Sequence, residues 1–224
     1  MFKKNRLARD LISDAIRRTV DELVREHYGA LTQEHQLTSR LCQQLESTFS
    51  SMDIFGYRVR VITQELPDKG PGSMEKKIGA DIYIGFDLLG EESISKGVFI
   101  QSKWHEEKRN KKEQEKLVEQ CANMLWRSHA SYLWLYGSAG VEVVPANENT
   151  DTATRHPESL NSRNLSEMIR GVLDCVEGDR GIGMPKSASI RSSIKEMLHR
   201  FEGREHPVSH LIAVQIAEPD ADRR

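Results

Sequence analysis

The sequence predicts an α/β fold in which helices flank a central mixed β-sheet, and three observations support this class. Residues 82–88 and 97–104 are rich in β-branched and aromatic side chains and flank a polar stretch, 90–96, a pattern typical of an antiparallel hairpin. Leucines recur every three to four residues near the N-terminus, as in amphipathic helices. A further apolar run at 131–136 follows a helical pattern, which predicts a strand–helix–strand crossover.

Two amphipathic helices are predicted before the sheet. Apolar residues recur at helical spacing over residues 7–27, and Gly29 is a candidate C-cap because glycine readily adopts the left-handed conformation. The second helix is predicted over residues 32–49, with Thr32 as the candidate N-cap. Its buried stripe is predicted to consist of Leu37, Leu41 and Leu45.

The rest of the core contains strands and one long helix. Residues 57–63 alternate apolar and polar side chains and are interpreted as the first strand of the sheet. The crossover helix is predicted over 108–128, and strands at 131–136 and 140–144 follow it. The apolar stripe of that helix is Leu117, Cys121, Met124 and Leu125.

The C-terminal third carries the weakest pattern. It is predicted to contain a long loop at 145–161, helices at 165–176 and 190–201, and a candidate last strand at 208–216. We therefore expect one domain over residues 1–224, with a core at about 32–145 and a C-terminal helical extension at 160–217.

Composition limits the class of protein. The chain has 224 residues and a net charge of −2, so a nucleic-acid partner would need a local basic patch. No apolar run approaches the roughly 20 residues of a membrane span, and no signal-peptide core follows the basic N-terminus. The three cysteines, Cys42, Cys121 and Cys175, are far apart, which favours a reducing cytoplasm with mostly buried thiols and gives no zinc motif.

The predicted hairpin brings polar side chains together at its open end. Asp81 lies at the start of the first strand, and Gln101 and Lys103 share one face of the second. A turn centred on Glu91 and Glu92 places Asp81 across from Gln101 or Lys103. One interpretation is an active-site cluster; the alternative is the solvated face of a half-exposed sheet.

The order of these residues resembles the PD-(D/E)xK nuclease superfamily, which has the restriction-endonuclease-like fold. An acid at a strand start, a turn and Gln-x-Lys at the end of the next strand correspond here to Asp81, Gln101 and Lys103. The match is closest to the branch with Gln-x-Lys in place of Glu-x-Lys, which includes Mrr-like restriction enzymes and nuclease domains of bacterial anti-phage effectors. Gly79 and Ala80 precede the acid, as they often do in Mrr-like members.

The resemblance implies a Mg²⁺ site, with Mn²⁺ as a substitute ion. Asp81 would be the central ligand, with Glu34, the Gln101 side-chain oxygen and, by analogy with the family, the backbone carbonyl of Ser102. Lys103 would orient the nucleophilic water or stabilise developing negative charge. Glutamine in place of glutamate removes one negative charge and should weaken Mg²⁺ binding unless Glu34 compensates.

Several further site residues have open alternatives. Glu34 either reaches the hairpin or only complements the helix dipole, worth about 0.3–1 kcal/mol; Glu46 is its substitute on the same helix. Gln120 lies on the buried stripe of the crossover helix and, by the resemblance, can face the site, although a buried amide needs partners in any case. Glu65 and Glu75 are weaker candidates for metal binding.

Basic residues near the motif are candidate phosphate contacts, although a solvated surface explains each of them singly. They lie in the loop 67–77 and in the charged run after Trp104, namely Lys69, Lys76, Lys77, Lys108, Arg109, Lys111 and Lys112. The aromatic residues Trp126, Trp134 and Tyr136 are expected in the core rather than stacked on bases.

The expected function is therefore that of a Mg²⁺-dependent endodeoxyribonuclease in the cytoplasm, similar to the effector nucleases of antiviral defence systems. Expected partners are DNA and either further copies of the chain or a regulatory or sensor protein, with no membrane. The alternative is a catalytically inactive member of the fold that binds DNA or protein. A third option is a structure-selective resolvase.

Overall fold

A central sheet and five helices make up the computed structural model, which describes residues 2, 5–31, 33–66, 79–90, 93–105, 109–150, 157, 160–202 and 208–219. Within these residues eight strands form one sheet. The strands are β1 (Met52–Ile54), β2 (Tyr57–Glu65), β3 (Ile82–Leu89), β4 (Ile94–Trp104), β5 (Ser131–Gly137), β6 (Gly140–Pro145), β7 (Arg163–Asn164) and β8 (His210–Ala217). The helices are α1 (Arg6–His27), α2 (Glu34–Thr48), α3 (Lys111–Arg127), α4 (Leu165–Leu173) and α5 (Ile190–Glu202).

The sheet is mixed, which confirms the predicted α/β class. Its strand order is β1-β2-β8-β3-β4-β5-β6-β7. Most neighbours are antiparallel, whereas β8 runs parallel to β3 and β4 runs parallel to β5. Helix α3 connects β4 to β5, so the predicted strand–helix–strand crossover is present. This arrangement is consistent with a restriction-endonuclease-like core.

Helices cover both faces of the sheet because successive strand residues alternate between two apolar clusters. One cluster joins α1, α2 and α4 to one face, and the predicted stripe Leu37, Leu41 and Leu45 is buried there. The other joins α3 and α5 to the opposite face, where Leu117 and Met124 are buried. The two helical layers cover the faces of the sheet, and polar residues lie at its rim, where the strands begin or end.

The hairpin register agrees with the sequence prediction, but its turn is shorter. Ile82 pairs with Ile100 and Leu88 with Ile94, so the pairing is centred near residue 91. Residues 94–96 belong to β4 rather than to the predicted polar turn. The charge of Lys96 suggested a solvent-exposed turn, but its side chain is buried in the strand. Its Nζ donates a hydrogen bond to the Glu177 carbonyl at 2.6 Å. Glu91 and Glu92 lie outside the described residues.

Two predicted helix starts are corrected. Helix α2 begins at Glu34 with Gln33 in the N-cap position, and Thr32 lies outside the described residues. Helix α3 begins at Lys111 rather than at 108. Asn110 and Glu113 form a capping box there, so the backbone donors of the first turn have side-chain partners.

The end of α1 follows the prediction. The helix ends at His27, and Gly29 has φ of +78°, the left-handed conformation expected just beyond a helix terminus. Helix α4 is shorter than predicted and ends at Leu173. The predicted loop at 145–161 contains a 3₁₀ turn at Ala146–Glu148, and the short strand β7 follows the loop.

The C-terminal strand is placed differently from the expected core and extension. β8 lies between β2 and β3, in the middle of the sheet, and pairs with both along their length. The segment 160–217 is therefore not an appendage to a core that closes at residue 145. Strand β2 is also not the first strand, because the short strand β1 precedes it and pairs with it.

Removal of β8 is expected to prevent folding. A chain that ends at residue 202 would leave β2 and β3 without the strand that pairs with both, and unpaired backbone groups in a sheet interior are costly. We expect no cooperative thermal transition by circular dichroism. A chain that ends at residue 219 keeps β8 and is expected to melt like the full-length protein; a cooperative melt of the 202-residue chain would contradict the central position of β8.

The expectation for the aromatic residues is confirmed for two and wrong for one. Trp134 and Tyr136 are buried in β5, but the Trp126 side chain is 82% exposed. It lies on the solvent side of α3, where the Arg127 guanidinium carbon is 5.5 Å from the ring centroid.

Among the helices of the described residues, none combines the length and the apolar character needed to cross a membrane.

The cysteines predict a simple reactivity pattern. Cys42 and Cys121 are buried and Cys175 is exposed, and none forms a disulfide. Burial raises the pKa of Cys42 to about 12, with Glu65 and Glu46 adding to the effect, and raises that of Cys121 to about 11. Both thiols therefore stay protonated at pH 8. We expect a thiol reagent such as DTNB to react rapidly with Cys175 alone in the native protein and with all three cysteines after unfolding; rapid reaction of a second thiol would contradict this.

Candidate active site

Asp81 lies at the rim of the sheet, immediately before β3, and its backbone is held from both sides. Its N–H donates to the Ile100 carbonyl of β4 at 2.8 Å, and its carbonyl accepts from the His210 N–H of β8 at 3.0 Å. Two flanking strands therefore fix the position from which the carboxylate projects. Helix α2 crosses this rim on one face of the sheet.

The Asp81 carboxylate binds the end of β4 through a single oxygen. Oδ2 accepts hydrogen bonds from the Ser102 backbone N–H at 3.1 Å, from Ser102 Oγ at 2.8 Å and from Gln101 Nε2 at 2.5 Å. The register thus places Asp81 beside Gln101, one of the two alternatives left open by the sequence. Ser102 contributes its side chain as well, which strand alternation had placed on the opposite face from Gln101.

Gln101 and Ser102 are almost completely buried, each 1% exposed. Besides its bond to Asp81, Gln101 Nε2 donates to the Ser102 carbonyl at 3.2 Å. Gln101 Oε1 is buried and accepts no hydrogen bond from any residue that the structure describes. A carbonyl oxygen in this state has lost its water without gaining a donor, which costs about 1–3 kcal/mol, so the amide lies in a costly environment at the centre of the cluster.

Lys103 and Glu34 form an ion pair next to this cluster. Lys103 Nζ lies 3.4 Å from Glu34 Oε1, and their side chains are 21% and 24% exposed. Glu34 occupies the first turn of α2, where it complements the helix dipole, and its side chain also reaches the end of β4; its role as a metal ligand stays a prediction. Within the described residues, Lys103 is therefore paired with a carboxylate of α2.

Helix α2 is anchored beside the site by a buried hydroxyl pair. Thr38 Oγ1 lies 3.0 Å from the Tyr136 hydroxyl and also bonds the Glu34 carbonyl at 3.0 Å. Tyr136 is fully buried, and burial raises the pKa of its phenol, which therefore stays neutral. The hydroxyl pair therefore joins α2 to β5.

A second polar group at the same rim was not singled out by the sequence. Ser39 Oγ lies 3.0 Å from both Glu65 Oε1 and His210 Nε2. It joins α2 to the end of β2 and the start of β8. No spacing signal predicts this group, because its members are far apart in sequence and meet only through the central position of β8.

The other acidic candidates lie elsewhere. Glu46 Oε2 accepts from the Thr63 N–H and hydroxyl at 3.1 and 2.7 Å, so it is bonded to β2 instead of to the Asp81 cluster. Glu65 belongs to the Ser39 and His210 group. Glu75 lies outside the described residues.

The backbone of Gln120 lies next to the residues that precede Asp81. The side chain is partly exposed, not fully buried as predicted, and makes no hydrogen bond to any residue in the described part of the chain. Its backbone packs so closely against Gly79 that a Cβ at residue 79 would collide with it, and Gly79 has φ of +75°. Glycine is required two residues before Asp81 because the chain passes directly over α3.

The basic candidates are only partly placed. Arg109 donates to the Trp104 carbonyl at 2.5 Å, so its guanidinium is tied to the end of β4. Lys111 and Lys112 are exposed at the start of α3. The remaining candidates, Lys69, Lys76, Lys77 and Lys108, lie outside the described residues.

The donor set of the rim consists of oxygen atoms. It comprises the carboxylates of Asp81 and Glu34, the Gln101 amide oxygen and the Ser102 carbonyl, which are ligand types of Mg²⁺ rather than of softer metals. Across the described ranges, no group of three or more His, Cys, Asp or Glu side chains could hold a metal ion. No protein-family model, curated protein or solved structure matches the chain.

Proposed function

We propose that this protein is a Mg²⁺-dependent endodeoxyribonuclease, with Mn²⁺ able to replace Mg²⁺. The observation that carries the proposal is the meeting of Asp81 with Gln101 and Ser102 at the rim of the sheet, next to the Lys103–Glu34 ion pair. These residues follow the order of an acid, a turn and Gln-x-Lys that resembles the PD-(D/E)xK superfamily.

The residues present fit a hard divalent cation. Mg²⁺ keeps several of its waters, so one or two carboxylates with neutral oxygens suffice. Asp81, the Ser102 carbonyl and Gln101 Oε1 would hold the ion, with Glu34 completing the set. The buried Oε1 supports this fit, because none of the described side chains or backbone groups donates to it and a cation would provide a partner. When bound, such an ion neutralises charge at the phosphate and lowers the pKa of a bound water.

Lys103 supplies the positive charge of the site. Its ammonium group lies beside Glu34 at the end of β4 and is only partly exposed. From this position it would orient the attacking water or stabilise the negative charge that develops on the phosphate oxygens. Glu34 holds the lysine in place, and helix α2 is itself fixed through Thr38 and Tyr136.

DNA is the proposed substrate, and the contact must be local because the net charge of the chain is −2. The exposed lysines at the start of α3, Lys111 and Lys112, are suited to phosphate contacts. We further propose little intrinsic sequence specificity, control through homo-oligomerisation or a regulatory or sensor protein, and a role in cytoplasmic anti-phage defence, all of which rest on the resemblance.

One observation favours the alternative, a catalytically inactive binding module. Asp81 Oδ2 already accepts three hydrogen bonds from β4, and an uncharged glutamine stands where the general PD-(D/E)xK pattern has an acid. A rim bonded in this way is stable without an ion. Such a protein would bind DNA or a protein partner without cutting.

Cleavage of supercoiled plasmid distinguishes these functions. Nicked or linear product in Mg²⁺ or Mn²⁺, and none in EDTA, is expected of the nuclease. Binding without cleavage in either ion would support the inactive module. Parallel reactions on a linear duplex, a four-way junction and RNA identify the substrate, and preference for the junction would indicate a resolvase.

A further inference from the structure

The Gln101 carboxamide occupies an unusual position between two oxygens of the candidate metal site. Its Nε2 donates both to Asp81 Oδ2 and to the Ser102 carbonyl. These are two of the oxygens that would bind the cation under the proposed function. Without the ion, the two amide hydrogens donate to these two oxygens and so take the place of the cation.

The same amide leaves its oxygen unsatisfied. Gln101 is 1% exposed, and within the described ranges no residue donates a hydrogen bond to Oε1. A half-turn of the amide about its last torsion would exchange the two ends in the same volume. Without a cation, that exchange would bring Oε1 against Asp81 Oδ2 and the Ser102 carbonyl, and all three groups only accept hydrogen bonds. With a cation, all three become ligands and the unsatisfied oxygen gains a partner.

We propose that Gln101 is an exchangeable ligand, whose amide closes the site through Nε2 in the metal-free protein and rotates to bind Mg²⁺ or Mn²⁺ through Oε1. This inference rests on the proposed function, since it assumes that the cation binds Asp81 and Ser102. Glutamate cannot act in this way, because both of its oxygens only accept and would face the Asp81 carboxylate. The glutamine thus allows a buried, fully folded rim without metal, at the cost of weaker metal binding.

The orientation of the amide can be followed directly in the wild-type protein. In ¹H–¹⁵N spectra, the side-chain NH₂ of Gln101, assigned through its own backbone, is expected to be protected from solvent exchange without metal. Addition of Mg²⁺ should shift the signals of both amide hydrogens, because they leave the Asp81 and Ser102 oxygens while the group stays buried. Gln215 is a matched control, because its Nε2 also donates to an aspartate of β3, Asp87, at 3.3 Å, away from the rim. Its signal is expected to stay unchanged.

Two variants test the ligand role by calorimetric titration with Mg²⁺. Gln101→Glu is expected to bind at least about tenfold more tightly, because it adds a full charge at the ligand position, and to melt at a lower temperature without metal. Gln101→Met keeps the volume but has no oxygen and is expected to bind at least about tenfold more weakly. Equal binding by wild type and Gln101→Met would overturn the proposal.

The result separates this inference from the proposed function. Plasmid cleavage by a wild-type protein whose Gln101 amide does not respond to saturating Mg²⁺ would overturn the inference and leave the nuclease intact. Release of the amide by Mg²⁺ without cleavage of any nucleic acid would support the inference and overturn the nuclease. Absence of Mg²⁺ and Mn²⁺ binding to the wild type would overturn both.

Discussion

Asp81→Asn is expected to lower Mg²⁺-dependent DNA cleavage by about 1,000-fold. A catalytic metal contributes several kcal/mol of charge stabilisation, and each 1.36 kcal/mol corresponds to about tenfold in rate. Asparagine is nearly isosteric, and its Oδ1 can still accept the bonds from Ser102 and Gln101 that Asp81 Oδ2 accepts. The fold should therefore persist while the negative charge at the metal position is lost. The measurement is the rate of plasmid nicking, with the melting temperature recorded in parallel.

Asp87→Asn provides the matched control. Asp87 lies on β3, six positions after Asp81, and it is bonded to Gln215 rather than to the Asp81 cluster. Burial raises the pKa of its carboxyl group, so the site disfavours the charged form that asparagine removes. Cleavage by Asp87→Asn should match the wild type. Asp81→Ala should be inactive too, and it should also be less stable because it leaves the donors of Ser102 and Gln101 without their acceptor.

Lys103→Met is expected to reduce the rate of cleavage by about 10²–10⁴-fold, the usual contribution of a group that moves or orients a proton in the transition state. Mg²⁺ affinity should be retained or increased, because Glu34 loses its cationic partner and its full charge becomes available to the ion. Methionine preserves the aliphatic stem, so packing at the end of β4 is maintained. Single-turnover cleavage and Mg²⁺ titration together check the prediction.

Lys111→Met is the control for Lys103. The Lys111 side chain is 92% exposed and pairs only loosely with Glu115, at 3.9 Å. Its loss should weaken DNA binding slightly and leave the cleavage rate at saturating DNA unchanged. If cutting continued at the wild-type rate in both the Asp81 and the Lys103 variants, the nuclease assignment of this site would be refuted.

The elements that were predictable are those whose side chains repeat with a clear period. The stripe Leu37, Leu41 and Leu45 predicted α2, and the apolar alternation around Ile82 and Ile100 predicted the hairpin and its register. Errors arose where a polar side chain was buried or an apolar one was exposed. Lys96 was assigned to a turn because its charge suggested solvent, and Trp126 was assigned to the core because of its size.

Contacts between residues far apart in the chain required the folded structure. Glu34 was a candidate for two different roles, and only the packing of α2 across the rim brings it to Lys103. Glu65 was a weak candidate by itself, but its meeting with Ser39 and His210 was not predictable, because it depends on the insertion of β8 between β2 and β3. A local pattern carries no information about which distant strand will be its neighbour.

The amino-acid order alone was sufficient for the α/β class, for the hairpin and for limiting the neighbour of Asp81 to Gln101 or Lys103, because strand alternation and a short turn leave few registers in which apolar residues stay buried. The folded structure decided the central position of β8, the partner of Lys103 and the orientation of the Gln101 amide. These three features depend on packing between segments far apart in the chain and on which buried polar atoms form hydrogen bonds. Both are determined only once all of the surrounding elements have packed together.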